Sequence, residues 1–216
     1  MTAVPPRGPL RYRPILVSLG VAAALQAYFL AARPSLAVDG AVLLLFTGAV
    51  VLLLRQRGES FRSVGITLGP VNRKALGYLI PGAAVMIAGA IGLRLAFPPL
   101  DPPPLFPGIL LGLLLYPLWG FLQQLFYLGF VERGLERGGI PARLAAVLAG
   151  VAYGVVHAPN WPLVAATTPM GVYLALVYLR APALLPIAFV HGLGGALAIF
   201  VIGLDLAIGS AYGAGG

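Results

Sequence analysis

The sequence predicts an all-α polytopic membrane protein, and three observations carry that expectation. Hydrophobic residues fill 60% of the 216 positions and charged residues only 9%, whereas a water-soluble domain carries about a quarter. The apolar residues gather into runs close to the ~20 that a helix needs to cross a bilayer. The charges fall between those runs instead of forming one patch. The chain is basic, with 14 Lys and Arg against 6 Asp and Glu, but this dispersal fits membrane topology better than a nucleic-acid interface, so no nucleic-acid partner is expected. Without cysteine there is no disulfide, thiolate chemistry or Cys-based metal site.

Seven spans are expected, at residues 14–32, 40–54, 75–97, 107–131, 144–159, 161–179 and 183–207. The first follows Arg7, Arg11 and Arg13 and is longer than the apolar region of a signal peptide, so it reads as an anchor. The second and fifth are short, and the count is seven or eight. Between the third and fourth, the proline-rich run from Phe97 to Pro107 cannot be a helix interior and reads as an ordered external loop. The tail after Gly209 is rich in Gly and Ala and reads as frayed. Residues 1–216 therefore form a single integral membrane domain.

Orientation follows from the arginines. With the N-terminus in the cytoplasm and all seven spans alternating, every Lys and Arg except Arg33 and Arg94 falls inside, as the positive-inside rule requires. The C-terminus then lies outside. The compact, Arg-rich, Cys-free composition points to a bacterial inner membrane.

Polar side chains within a bilayer are costly and usually face a cavity, a partner or a reaction centre. Four such residues stand out. Gln123 and Gln124 are adjacent in the fourth span, and His157 and His191, the only histidines, lie in the fifth and seventh. Alone, each histidine reads more readily as a structural link between helices, and the glutamines as an amide bridge. Gly108-x-x-x-Gly112 and Gly150-x-x-x-Gly154 read as close-packing faces, and Trp161 as an interfacial anchor.

The order of these groups carries more. Gln123-Gln124-Leu-Phe-Tyr127-Leu128-Gly129, then Tyr153-Gly-Val-Val-His157, then His191-Gly-Leu-Gly-Gly195 resembles the CAAX-protease and bacteriocin-processing (Abi) family of intramembrane proteases. That family's signature is Glu-Glu-x-x-x-Arg, Phe-x-x-x-His and His-x-x-x-Asn on successive helices. The resemblance covers residues 60–200 and implies a CAAX-protease-like bundle there. It implies a site at Gln123, Gln124, His157 and His191, with Tyr127, Leu128, Tyr153, Asn160 and Gly195 lining a cavity. It also implies a mechanism in which the first glutamate, with a histidine, activates a water against a peptide carbonyl, while the second histidine and the asparagine stabilise the oxyanion.

This chain departs from the signature at its most chemical positions. Gln123 and Gln124 replace the glutamates, Leu128 the arginine, Tyr153 the phenylalanine and Gly195 the asparagine. An amide hydrogen-bonds a water but is no base near neutral pH. General-base help is worth about 10²–10⁴-fold in rate, and one oxyanion donor about 10²–10³-fold. The changes cohere, because an arginine left beside two amides would be an unpaired cation in the membrane, at roughly 2.5–3.5 kcal/mol.

No other acid is a convincing replacement. Glu132 lies about 12 Å along a helix from Gln124 and reads as a solvated surface pair with Arg133. Two histidines fall short of a catalytic zinc, which takes about three protein ligands, so no metal and no cofactor are expected. The leading reading is a pseudoprotease that binds a membrane-protein partner or a hydrophobic peptide or isoprenoid ligand. The alternative is an active intramembrane endopeptidase using His157 and His191. A transporter is weaker, since no intramembrane acid chain is present. One tension stands: hydropathy sets His157 roughly 10–15 Å above Gln124 and His191, so a shared site requires the fifth span to tilt or sit deeper.

Overall fold

The computed structural model describes residues 12–31, 36–96 and 105–202. All its regular elements are helical: α1 (Tyr12–Ala31), α2 (Leu36–Gln56), α3 (Pro70–Ala96), α4 (Leu105–Gln124), a π-helical stretch π1 (Leu125–Glu132), α5 (Arg133–Arg137), α6 (Ala142–Val155), α7 (Trp161–Arg180), α8 (Leu184–Leu197) and a second π-helical stretch π2 (Ala198–Ile202). Among the described residues, five helices are long and apolar enough to cross a membrane: Tyr12–Ala31, Pro70–Ala96, Gly112–Arg137, Trp161–Arg180 and Leu184–Ile202. The apolar helices Ala41–Gln56 and Ala142–Val155 are shorter. Most of the proline-rich loop, with Asp101, lies outside the described residues, as do Arg7, Arg11, Arg33, Asp205 and the tail after Gly209. Its last residues, Leu105 to Pro107, already belong to α4, where proline is tolerated because first-turn N–H groups have no intrahelical partner.

The expected span 107–131 extends further than the hydropathy indicated. The chain leaves α4 at Gln124, widens into π1 and runs on as α5 to Arg137. All eight residues of π1 are buried, including Phe130, which is wholly enclosed, and Leu128. Pro81, Pro117 and Pro169 lie inside α3, α4 and α7, which continue through them, as membrane helices allow where neighbouring groups satisfy the freed backbone.

Two helix pairs set the geometry through glycine. A Cβ added at Gly120 of α4 would meet the Ala188 carbonyl oxygen at 2.9 Å, and one at Gly192 of α8 would meet the Pro117 nitrogen at 2.5 Å. On α6, Gly150 lies against the Val172 backbone and Gly154 against Thr168 of α7. Small residues let membrane helices approach to backbone contact. These two contacts bring α4 to α8 and α6 to α7 around one interior.

The 57–69 connection is pinned at the far end of π1. The Glu59 carboxylate, 2% exposed, takes Arg133 Nη2 at 2.9 Å and Arg137 Nη2 at 2.7 Å, and the Ser63 hydroxyl donates to it at 2.6 Å. Arg57 donates to the Phe130 carbonyl oxygen and the Ser18 hydroxyl, both at 3.1 Å, with its guanidinium 4.1 Å from the Phe130 ring centroid. Gly65 adopts φ +86° with the Pro182 carbonyl oxygen 2.7 Å from where a Cβ would stand, so only glycine fits there.

This arrangement corrects the reading of Glu132. Arg133 turns to Glu59, and Glu132 is 1% exposed with no described residue bonded to its Oε2. Helix burial displaced the surface pair that sequence adjacency indicated.

Burial raises the Glu59 carboxyl, but the Ser63 hydroxyl and the Arg133 and Arg137 guanidiniums outweigh it and hold the group below its ordinary range. A carboxyl depressed in the folded state adds stability that is complete above its unfolded pKa of about 4.3 and is lost as pH falls through the folded value. Glu59→Gln is expected to cost about 1.5–3 kcal/mol at pH 7, the range for hydrogen bonds to charged groups. It should also flatten the loss of stability below about pH 4.3. Thermal unfolding in detergent between pH 7 and 3 tests this, and identical pH profiles for the two proteins would sink it.

Candidate functional site

The interior between α4, α6 and α8 gathers the polar residues that the sequence scatters. Gln124 closes α4 one helical turn after Gly120, and His191 precedes Gly192, so the close approach of these helices sets the two side chains face to face. A Cβ at Gly120 would lie 3.3 Å from the His191 ring. The Gln124 amide nitrogen donates to His191 Nδ1 at 2.8 Å. The ring proton then resides on Nε2, which donates to the Tyr153 hydroxyl oxygen at 2.9 Å. Both ring nitrogens of His191 are therefore engaged by protein groups, and Gln124 and His191 are buried.

His157 lies just past the end of α6, in the turn that leads to α7. Its Nδ1 is 3.2 Å from the Gly154 carbonyl oxygen and 3.2 Å from Thr167 Oγ1. The Thr167 proton is already given to the Leu163 carbonyl at 2.7 Å, so both groups accept from the imidazole. This fixes the proton on Nδ1 and leaves the lone pair on Nε2, to which no described residue bonds. A carbonyl acceptor on one nitrogen sets the tautomer of the other.

The two histidines meet through one aromatic ring. Tyr153 packs edge-on against His157 at 5.5 Å between centroids, against His191 at 5.2 Å and against Tyr127 at 5.4 Å. The difference in depth expected from hydropathy is bridged by Tyr153, one turn before His157 on α6.

The remaining expected positions divide. Tyr127 belongs to this aromatic wall. Leu128 packs into the hydrophobic core. Asn160 caps α7, its side-chain oxygen accepting from the Leu163 N–H at 3.2 Å. Gly195 is filled by a neighbour, since a Cβ there would meet Tyr116 Cδ1 at 2.6 Å. Gln123 does not face the histidines. It lines a separate cavity, and no described residue bonds to its buried Oε1. Adjacent residues on a helix point about 100° apart, which is why the amide pair divides between two spaces.

Sequence reasoning missed Thr167, whose hydroxyl steadies His157, and Tyr116, which occupies the space before Gly195. The Thr167–Thr168 pair inside an apolar helix was the available signal for the first. Among the described residues, no three of His, Asp and Glu gather as a metal site would require.

Residues 104–197 match a family model described as Type II CAAX prenyl endopeptidase Rce1-like. That stretch holds both histidines, Gln123, Gln124, Tyr127 and Tyr153. No curated protein and no solved structure matches the chain.

Proposed function

We propose that this integral membrane protein, whose residues 104–197 match the model of the Rce1-like family of Type II CAAX prenyl endopeptidases, is a non-hydrolytic relative that works by binding. One observation carries the reading: His191 is held between the Gln124 amide and the Tyr153 hydroxyl. A carboxylate at Gln124 could only accept a proton, holding it on Nδ1 and leaving Nε2 basic. The amide donates instead, so the basic lone pair of His191 is spent on a hydrogen bond and is not free to take a proton. The ligand classes that suit such a site are a hydrophobic peptide, an isoprenoid chain or a segment of another membrane protein. The bundle is proposed to cross the bilayer seven times, with the N-terminus in the cytoplasm.

A second reading rests on His157. Its Nε2 lone pair is oriented by the Gly154 carbonyl and Thr167 and is engaged by no described residue, so it could serve alone as the base of an endopeptidase. The discriminating experiment is a peptidase assay in membranes on prenylated and hydrophobic peptides, comparing the native chain with His157→Ala. Equal background from both is expected. Turnover in the native chain that disappears in His157→Ala would overturn the binding reading.

A further inference from the structure

The cavity beside Gln123 lies between α1, α2 and the junction of α4 with π1, with Tyr127 and Val156 in its lining. It is a small cavity of about 40 Å³, partly open to the outside, room for a side-chain amide where one water needs roughly 10–15 Å³. Leu25 and Phe29 of α1, Phe46 and Thr47 of α2, Trp119 of α4 and Phe126 of π1 line it. The polar groups among its lining residues are the Thr47 and Tyr127 hydroxyls, the Trp119 indole N–H and the Gln123 amide. The Gln123 amide oxygen is fully buried, and no described residue hydrogen-bonds to it.

Depth decides what could bond to it. Gln123 is the twelfth residue of the 26-residue apolar span Gly112–Arg137, which places it near the middle of a hydrocarbon core about 30 Å thick. Bilayer lipids keep their hydrogen-bonding groups at the interfaces. A polar group at mid-depth is carried by polypeptide, and there it bonds to another helix. A primary amide offers one acceptor and two donors, and the group that matches both at once is a second primary amide.

We propose that this cavity receives an Asn or Gln side chain from the middle of a transmembrane helix of another membrane protein, paired reciprocally with Gln123. This rests on the binding reading above and names its partner. The apolar lining packs the flanking turns of that helix, and the amide pair sets its depth.

The test uses the full-length protein in phosphatidylcholine vesicles with three synthetic Leu/Ala transmembrane peptides, read by energy transfer between labels. One carries Asn at its centre, one Leu at that position, and one Asn near its end. The central-Asn peptide should associate about 3- to 20-fold more tightly than the other two, and Gln123→Leu should remove the difference. The end-Asn peptide gives a comparison that does not depend on any protein variant. Equal association of all three peptides overturns the proposal, as does an Asn advantage that survives in folded Gln123→Leu. Abolition of the advantage by 1-dodecanol in the native protein assigns the cavity to a lipid hydroxyl and also overturns it. Recovery of the peptides separates the two readings: intact peptide without an Asn advantage defeats this inference alone, whereas cleaved peptide defeats the non-hydrolytic reading alone.

Discussion

Gln123→Glu/Gln124→Glu/Leu128→Arg combined with Tyr153→Phe is expected to hydrolyse prenylated or hydrophobic peptides about 10²–10⁴-fold faster than the native chain, the usual worth of a general base. The Gln124 nitrogen sits 2.8 Å from His191 Nδ1. A glutamate there would take that ring proton by hydrogen bond and turn His191 into the tautomer with a basic Nε2. That nitrogen lies 2.9 Å from the Tyr153 hydroxyl, which would then donate to it and hold off a water. Removing the hydroxyl is therefore part of the restoration. The triple variant without Tyr153→Phe should recover less than the quadruple one. Leu128→Arg alone would place an unpaired cation in a closed core and is expected to lose folded protein.

Gly195→Asn is left out, because its Cβ would strike Tyr116; one oxyanion donor, worth about 10²–10³-fold, stays missing. Initial rates in proteoliposomes measure the effect. A folded quadruple variant with no turnover would show that the scaffold no longer seats a peptide against these groups.

Gly150→Val is expected to abolish the folded protein. A Cβ at Gly150 would meet the Val172 backbone nitrogen in hard overlap, with Val172 Cα at 2.5 Å and the Gly171 carbonyl carbon at 2.7 Å. All three belong to the facing backbone, which has no rotamer to yield. Overpacking typically costs about 1–3 kcal/mol where side chains can shift, and here α6 and α7 would have to separate. That separation takes Tyr153 and His157 away from Thr167. Gly77→Val provides the control, since nothing lies within 4 Å of its added Cβ. The yield of monodisperse protein in detergent, with Tm for whatever survives, reads the difference. A Gly150→Val protein with native yield and Tm would contradict the packing described.

The membrane class was determined by composition alone, because a chain this poor in charge cannot solvate a surface. The helical segments followed from the apolar runs, and the candidate groups from the cost of polar atoms in hydrocarbon. The family resemblance rested on the order of short motifs, which is local in sequence. Tertiary structure decided what each group faces. A count at 3.6 residues per turn does not foresee π1, whose wider turn changes the register between Gln124 and Arg133. It gives no reason for Glu59, in a connection, to draw Arg133 away from Glu132. It treats Gln123 and Gln124 as one pair, whereas packing sends one to His191 and the other to a cavity between α1, α2 and π1. Hydropathy and motif order are properties of the chain taken a few residues at a time. Which nitrogen of His191 carries the proton depends on an amide 67 positions away and a hydroxyl 38 positions away, and only the approach of α4 and α6 to α8 brings those groups within hydrogen-bonding distance.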